Sequence, residues 1–169
     1  MNKTLLSAFF LVILLSLPLL KAGLLFGVDE KTLAPDFTLK DLNDMDVSRS
    51  SFKGKVVLIN FWGTFCIPCR KEMPSIETLY KIYKDKGFLV IAVSEDKDLK
   101  DVKDFVNKYG LTFTIVMDQD KRVAKQYKIS ALPVTFLVDK KGMISKKFFG
   151  DRDWADKESR KMIEDLLSE

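Results

Sequence analysis

Apolar positions along the chain follow two periodicities that alternate. Residues 56–61 (VVLINF) are a short, continuous apolar run after Lys53-Gly54-Lys55, as in a strand buried on both faces. Residues 88–93 (FLVIAV), opened by Gly87, and 134–138 (VTFLV) repeat that signal. Residues 144–149 follow the turn residues Lys140-Lys141-Gly142, which predicts a hairpin with the strand before them. Between the first two strands, Met73, Ile76, Leu79, Tyr80 and Tyr83 recur at helical spacing within 67–86. Leu99, Val102, Phe105 and Val106 do the same within 99–109, where Gly110 supplies a C-terminal cap. A short helix is expected at 123–127. A last helix at 153–167 carries Trp154, Met162, Ile163, Leu166 and Leu167. The order strand, helix, strand, helix, helix, strand, strand, helix predicts an α/β domain, a mixed central sheet with helices on both faces. The alternating charges of 96–108 read as a solvated helix face. No internal repeat or low-complexity tract interrupts the pattern.

The N-terminus has neither periodicity. The 17 residues 4–20 are uncharged and nearly all apolar, with Lys3 before them and Lys21 after. A signal-peptide core takes roughly 7–15 residues and a spanning helix roughly 17–25. Cleavage after Ala22 would place Leu20 at −3, and cleavage after Gly23 would place Lys21 there. Neither is a small residue, and no cysteine follows for a lipid anchor. The expectation is an uncleaved signal-anchor over 1–28, followed by a folded domain over 29–169. Lys3 and the amino terminus favour the cytoplasmic side, which places the domain on the extracytoplasmic face.

Composition narrows the chemistry. Apolar residues make up 47% of the 169 and charged residues 31%, as in an ordinary globular chain. The 28 basic and 24 acidic residues leave +4, spread along the chain, so no clustered basic face for nucleic acid is present. There is no histidine, which removes Ser–His and Cys–His catalysis and every His-ligated metal site. Two cysteines are too few for a disulfide scaffold or a four-thiolate zinc site.

Those two cysteines, Cys66 and Cys69, have two residues between them and lie after a buried strand, at the start of a helix. With Cys66 as N-cap, its sulfur meets the free N–H groups and positive dipole of the first turn, and Arg70 and Lys71 add charge nearby. Such settings lower a cysteine pKa from ~8.5 to roughly 3.5–7.5. Cys66 is therefore the expected attacking thiolate and Cys69 the resolving thiol. Pro68 is tolerated in the first turn, whereas Pro74 is expected to kink the helix. A zinc site lacks further soft ligands, and a covalent haem site would need a histidine where Arg70 stands. A purely structural disulfide over so short a loop restrains little chain entropy. A redox-active dithiol, with no other cofactor and no metal, is the remaining reading.

The segment from Phe61 to Pro74 (FWGTFCIPCRKEMP) resembles the active site of the membrane-anchored, thioredoxin-like thiol–disulfide oxidoreductases of the TlpA/ResA type. Residues 34–39 (APDFTL) resemble that family's opening strand, 51–58 (SFKGKVVL) its approach to the site, and 132–139 (LPVTFLVD) its proline loop. The resemblance covers about residues 33–168. It implies a thioredoxin-like fold with a cis bond before Pro133, whose loop lies against the dithiol and pairs with an extended substrate segment. Trp62, Ile67, Pro68, Leu132 and Pro133 would then form the substrate surface, with Trp62 covering the site. Glu72 would lie near the dithiol and move protons. Read without the resemblance, the alternatives are Trp62 as a core aromatic, Pro133 as a trans proline opening a strand, and Glu72 as a surface group compensating the helix dipole. Asn60 stands where ordinary thioredoxins carry a buried Asp, and Thr114 where relatives usually have Pro. The resemblance further implies protein disulfide substrates, apocytochrome c among them, and a membrane electron donor. A peroxiredoxin-like peroxidase would need Thr or Ser where Gly63 stands, and a copper-binding module of the same fold would need a histidine.

Overall fold

The computed structural model describes residues 32–169. The expected anchor, 1–28, lies outside the described residues. Among the described residues no helix is long and apolar enough to cross a membrane. Seven strands form one sheet: β1 (Thr38–Asp41), β2 (Asp46–Ser48), β3 (Val56–Trp62), β4 (Phe88–Ser94), β5 (Thr114–Met117), β6 (Val134–Val138) and β7 (Ile144–Phe149). Their spatial order is β2-β1-β5-β4-β3-β6-β7. The centre, β5-β4-β3, is parallel, and β1, β2, β6 and β7 pair antiparallel.

β3 is buried along its whole length, and alternation assigns its side chains to two cores. Val56, Leu58 and Trp62 face a cluster built with α1 (Ile67–Tyr83), α2 (Leu99–Tyr109) and α4 (Lys157–Ser168). Val57, Ile59 and Phe61 face the other side, where α3 (Arg122–Gln126), Tyr127 and the segment from Ala34 to Leu39 pack. This is the expected mixed sheet with helices on both faces. Each aliphatic side chain so enclosed contributes roughly 1.5–3 kcal/mol, and a one-residue slip of β3 would exchange the two cores. The register is therefore firmly specified. It places Asn60, opposite Ala92 on β4 and Thr135 on β6, on the α1 side.

Several boundaries differ from the periodic reading. β2 and β5 were not expected from periodicity, because three and four residues are too few to show a period of two. The first helix ends at Tyr83 and passes into a 3-10 turn over Lys84–Lys86. It runs uninterrupted through Pro74. Gly110 closes α2 in the left-handed conformation, as expected. The last helix begins at Lys157 rather than 153, because the Asp156 carboxylate caps it by accepting the Ser159 N–H at 2.6 Å. Trp154 is consequently not a helix residue. It lies in a turn that carries its ring against α1. The expected β6–β7 hairpin is present, with a register shift at Leu137/Val138.

Candidate active site

β3 ends at Trp62, and four residues later Cys66 caps α1. The Cys66 sulfur accepts the Cys69 N–H at 3.3 Å, so it sits on the free donors of the first turn. Cys66 and Cys69 are joined as a disulfide, Sγ–Sγ 2.01 Å. Cys66 is half-buried and Cys69 is fully enclosed, so an incoming sulfur meets Cys66 first. The connecting loop is fastened by Asp96, whose carboxylate accepts the Thr64 N–H at 2.9 Å, the Thr64 hydroxyl and the Ser94 hydroxyl at 2.7 Å. Asp96 was expected on a solvated face. It is buried because its neighbour Ser94 ends β4 next to the site.

A cleft of about 540 Å³ opens beside Cys66, between Phe65, Pro68, Leu132 and Ile129, with Lys125 on its wall. Leu132-Pro133 is a cis peptide, as the resemblance implies, and Leu132 brings that loop to the Cys66 cleft. Ile67 is 70% exposed and Phe65 62% exposed, so apolar surface rims the sulfur. The Pro133 ring is buried, which leaves its loop's backbone as the part that can meet a partner. Trp62 corrects the expectation: it is fully enclosed, 5.1 Å from the Phe105 ring, in the same core as Cys69. It supports the site from beneath and presents no face to a substrate.

Glu72 is one helical turn beyond Cys69, and both face the core. At 2% exposure it is not a dipole-compensating surface group. Oε1 accepts the Asn60 Nδ2–H at 2.9 Å, and Oε2 accepts the Trp154 Nε1–H at 2.9 Å. Asn60 is held in turn by Thr135 Oγ1, at 2.9 Å. Burial pushes the Glu72 carboxyl up from 4.5 to about 7, against the lowering effect of these two donors. Asp151 adds to the rise, and no cation pairs with Glu72 among the described residues. Asn60 and Trp154 are the side chains that hold the Glu72 carboxyl. Asn60 gave a signal, as a polar residue inside a buried strand. Trp154 was hidden by the assumption that it belonged to a helix. Glu72 also lines a second cleft of about 440 Å³, together with Lys71, Ser75 and Arg152.

A model of the AhpC/TSA family matches residues 31–147, well over half of the chain. The chain belongs to the AhpC/TSA family. Within that family it is similar to the thiol–disulfide oxidoreductase ResA of Bacillus anthracis, 41% identical over 119 residues, 70% of this chain and 69% of that one. ResA of Bacillus subtilis (strain 168) is 39% identical over 124 residues, 73% of this chain and 69% of that one. Among solved structures, the thioredoxin domain of a thiol–disulfide oxidoreductase from Bacteroides vulgatus superposes with a TM-score of 0.72 at 33% identity, covering 81% of this chain and 96% of that one. This AhpC/TSA-family chain is therefore a thiol–disulfide oxidoreductase with a thioredoxin-like fold. Gly63 stands where a peroxidase would carry Thr or Ser, and a Cβ there would come within 2.5 Å of the exposed Phe65 ring.

A raised carboxyl makes stability pH-dependent with a defined sign. Between about 4.5, where Glu72 titrates in the unfolded chain, and about 7, where it titrates in the fold, the folded chain holds a proton that the unfolded chain has lost. Wild-type stability should fall as pH rises through that window, by at most about 3 kcal/mol, and level off above it. Glu72→Gln should lack this component. Urea unfolding of the oxidised wild type and variant across the window measures it, and parallel curves would show that Glu72 titrates in the ordinary carboxylate range.

Proposed function

We propose that this oxidoreductase is a reductase of protein disulfides on the extracytoplasmic face of a membrane, held there by residues 1–28. The observation that carries the reading is the division of the dithiol: Cys66 opens onto an apolar-rimmed cleft and Cys69 is enclosed beside a buried acid. In the reduced protein, the Cys66 thiolate attacks one sulfur of a substrate disulfide, forming a mixed disulfide and releasing the other sulfur as a thiolate. The Cys69 thiol passes its proton to the Glu72 carboxylate, and the Cys69 thiolate attacks Cys66 Sγ. The Cys66–Cys69 bond forms, the bond from Cys66 to the substrate breaks, and the substrate leaves fully reduced. Two electrons have moved from the dithiol to the substrate. A membrane electron donor restores them, and Glu72 releases its proton to solvent.

An extended substrate segment lies along the Leu132-Pro133 loop, with Ile67, Pro68 and Phe65 covering the residues beside its cysteine. Apocytochrome c, whose cysteines must stay reduced in an oxidising compartment, is the substrate class that the resemblance to the TlpA/ResA type implies. The anchor reading rests on the apolar run at 4–20 and its poor cleavage sites.

Cys69→Ser in the full chain should trap the mixed disulfide in intact cells. Reductant-sensitive adducts should form with exported cysteine-containing proteins, apocytochromes c among them, and vanish when Cys66→Ser is added. Adducts confined to cytoplasmic proteins would contradict the reading. The mass of the membrane-extracted protein should include residues 1–28. A soluble product beginning near residue 23 would remove the anchor and leave the oxidoreductase reading intact.

A further inference from the structure

Trp154 takes no part in the disulfide exchange itself, yet its indole N–H is spent on Glu72, the buried acid one helical turn beyond Cys69. The ring is fully enclosed, edge-on to Phe148 at 5.2 Å between centroids and covered by the Arg152 guanidinium at 5.1 Å. Its backbone N–H donates to Ser75 Oγ at 3.0 Å, and Ser75 Oγ donates to the Glu72 carbonyl at 2.7 Å. The turn before α4 is thus fastened to the helical turn that carries Glu72. Both groups on the carboxyl, the Asn60 amide N–H and the Trp154 indole N–H, are donors in this arrangement. An indole N–H cannot accept, so a protonated Glu72 must turn its O–H away from Trp154.

We infer that Trp154 is a positioning residue, whose indole N–H holds the Glu72 carboxylate in one orientation beside Cys69 and favours its ionised form. This rests on the proton-acceptor role proposed for Glu72. The groups around the carboxyl leave the indole few competitors. From α1 come Cys69 and Lys71, the latter paired with Asp151 at 3.2 Å. From β3 and β6 come the neutral Asn60 and Thr135. From the turn come Asp151, whose charge opposes ionisation, Asp153, and Arg152, whose backbone N–H favours it. The Arg152 guanidinium pairs with Glu158 at 3.4 Å and Asp156 at 3.8 Å. Trp154 and Asn60 are therefore the side-chain donors that stabilise the anion.

In the resolving step the proton leaves Cys69 Sγ for Glu72, and the resulting thiolate forms the Cys66–Cys69 bond as the Cys66–substrate bond breaks. Loss of the indole N–H makes Glu72 harder to ionise, so this step should need a higher pH. The reduced full chain in detergent is mixed with dithio-bis-nitrobenzoate. The first nitrothiolate released reports attack by Cys66 and the second reports resolution by Cys69. In Trp154→Phe the pH midpoint of the second phase should rise by about one unit, the size of one hydrogen bond to a charged group, with the high-pH plateau kept. Trp154→Phe added to Glu72→Gln should change nothing further. Where Trp154→Phe fails to fold, the tryptophan analogue with sulfur in place of the ring N–H removes the donor at constant size. A midpoint that Glu72→Gln abolishes but neither Trp154 variant moves would overturn the role of Trp154 alone. A midpoint unchanged by Glu72→Gln would overturn the Glu72 reading and this inference with it.

Discussion

A carboxyl enclosed one helical turn from the active-site cysteines, held by neutral donors and in no ion pair among the described residues, is the arrangement on which the site depends. Burying an isolated carboxylate is costly, and a protein ordinarily answers with a salt bridge or by keeping the group protonated. Here Glu72 is answered by one N–H from Asn60 and one from Trp154. Two such bonds offset only part of the desolvation, which is why burial still dominates and the carboxyl titrates near neutrality. A salt-bridged acid would stay ionised and be a weak base. A fully apolar pocket would hold it protonated. The intermediate setting suits a group that takes a proton and gives it back.

The fold supplies this setting from two neighbouring elements and one distant turn of the chain. β3 brings Asn60 to the α1 side by the parity of its alternation and, at its end, delivers the loop to Cys66. α1 places Cys66, Cys69 and Glu72 on successive turns, so one helix carries the exposed sulfur, the enclosed sulfur and the acid. The turn before α4 returns Trp154 and is fastened by Ser75. Asp96 fixes the loop between strand and helix from the end of β4. Glu72 follows Cys69 by one helical turn and also lines the cleft of Lys71, Ser75 and Arg152.

Much of this was legible in the sequence, for physical reasons that differ by element. β3, β4 and β6 are continuous apolar runs because both their faces are covered, and such runs need no periodicity to be recognised. Cys66 as N-cap follows from its place between a strand and a proline-bearing first turn. β2 and β5 were illegible because they are held by pairing partners and not by their own pattern. Trp62 was misplaced because an aromatic next to a CxxC segment looks alike whether it faces outward or into the core. Trp154 was missed because apolar spacing continued past the Asp156 cap, and the cap sets the helix boundary. Asn60 showed as a polar residue in a buried strand, but its pairing with Glu72, like that of Trp154, joins separate elements and no local pattern encodes it.

The central claim is that Glu72 is a buried acid titrating near neutral pH. Carbon-13 labelling of glutamate side-chain carboxyls, followed by NMR against pH, tests it directly on the oxidised protein. One carboxyl should titrate near 7, well above the others, and be absent from Glu72→Gln. A spectrum in which every glutamate, Glu72 included, titrates in the ordinary carboxylate range would contradict the account.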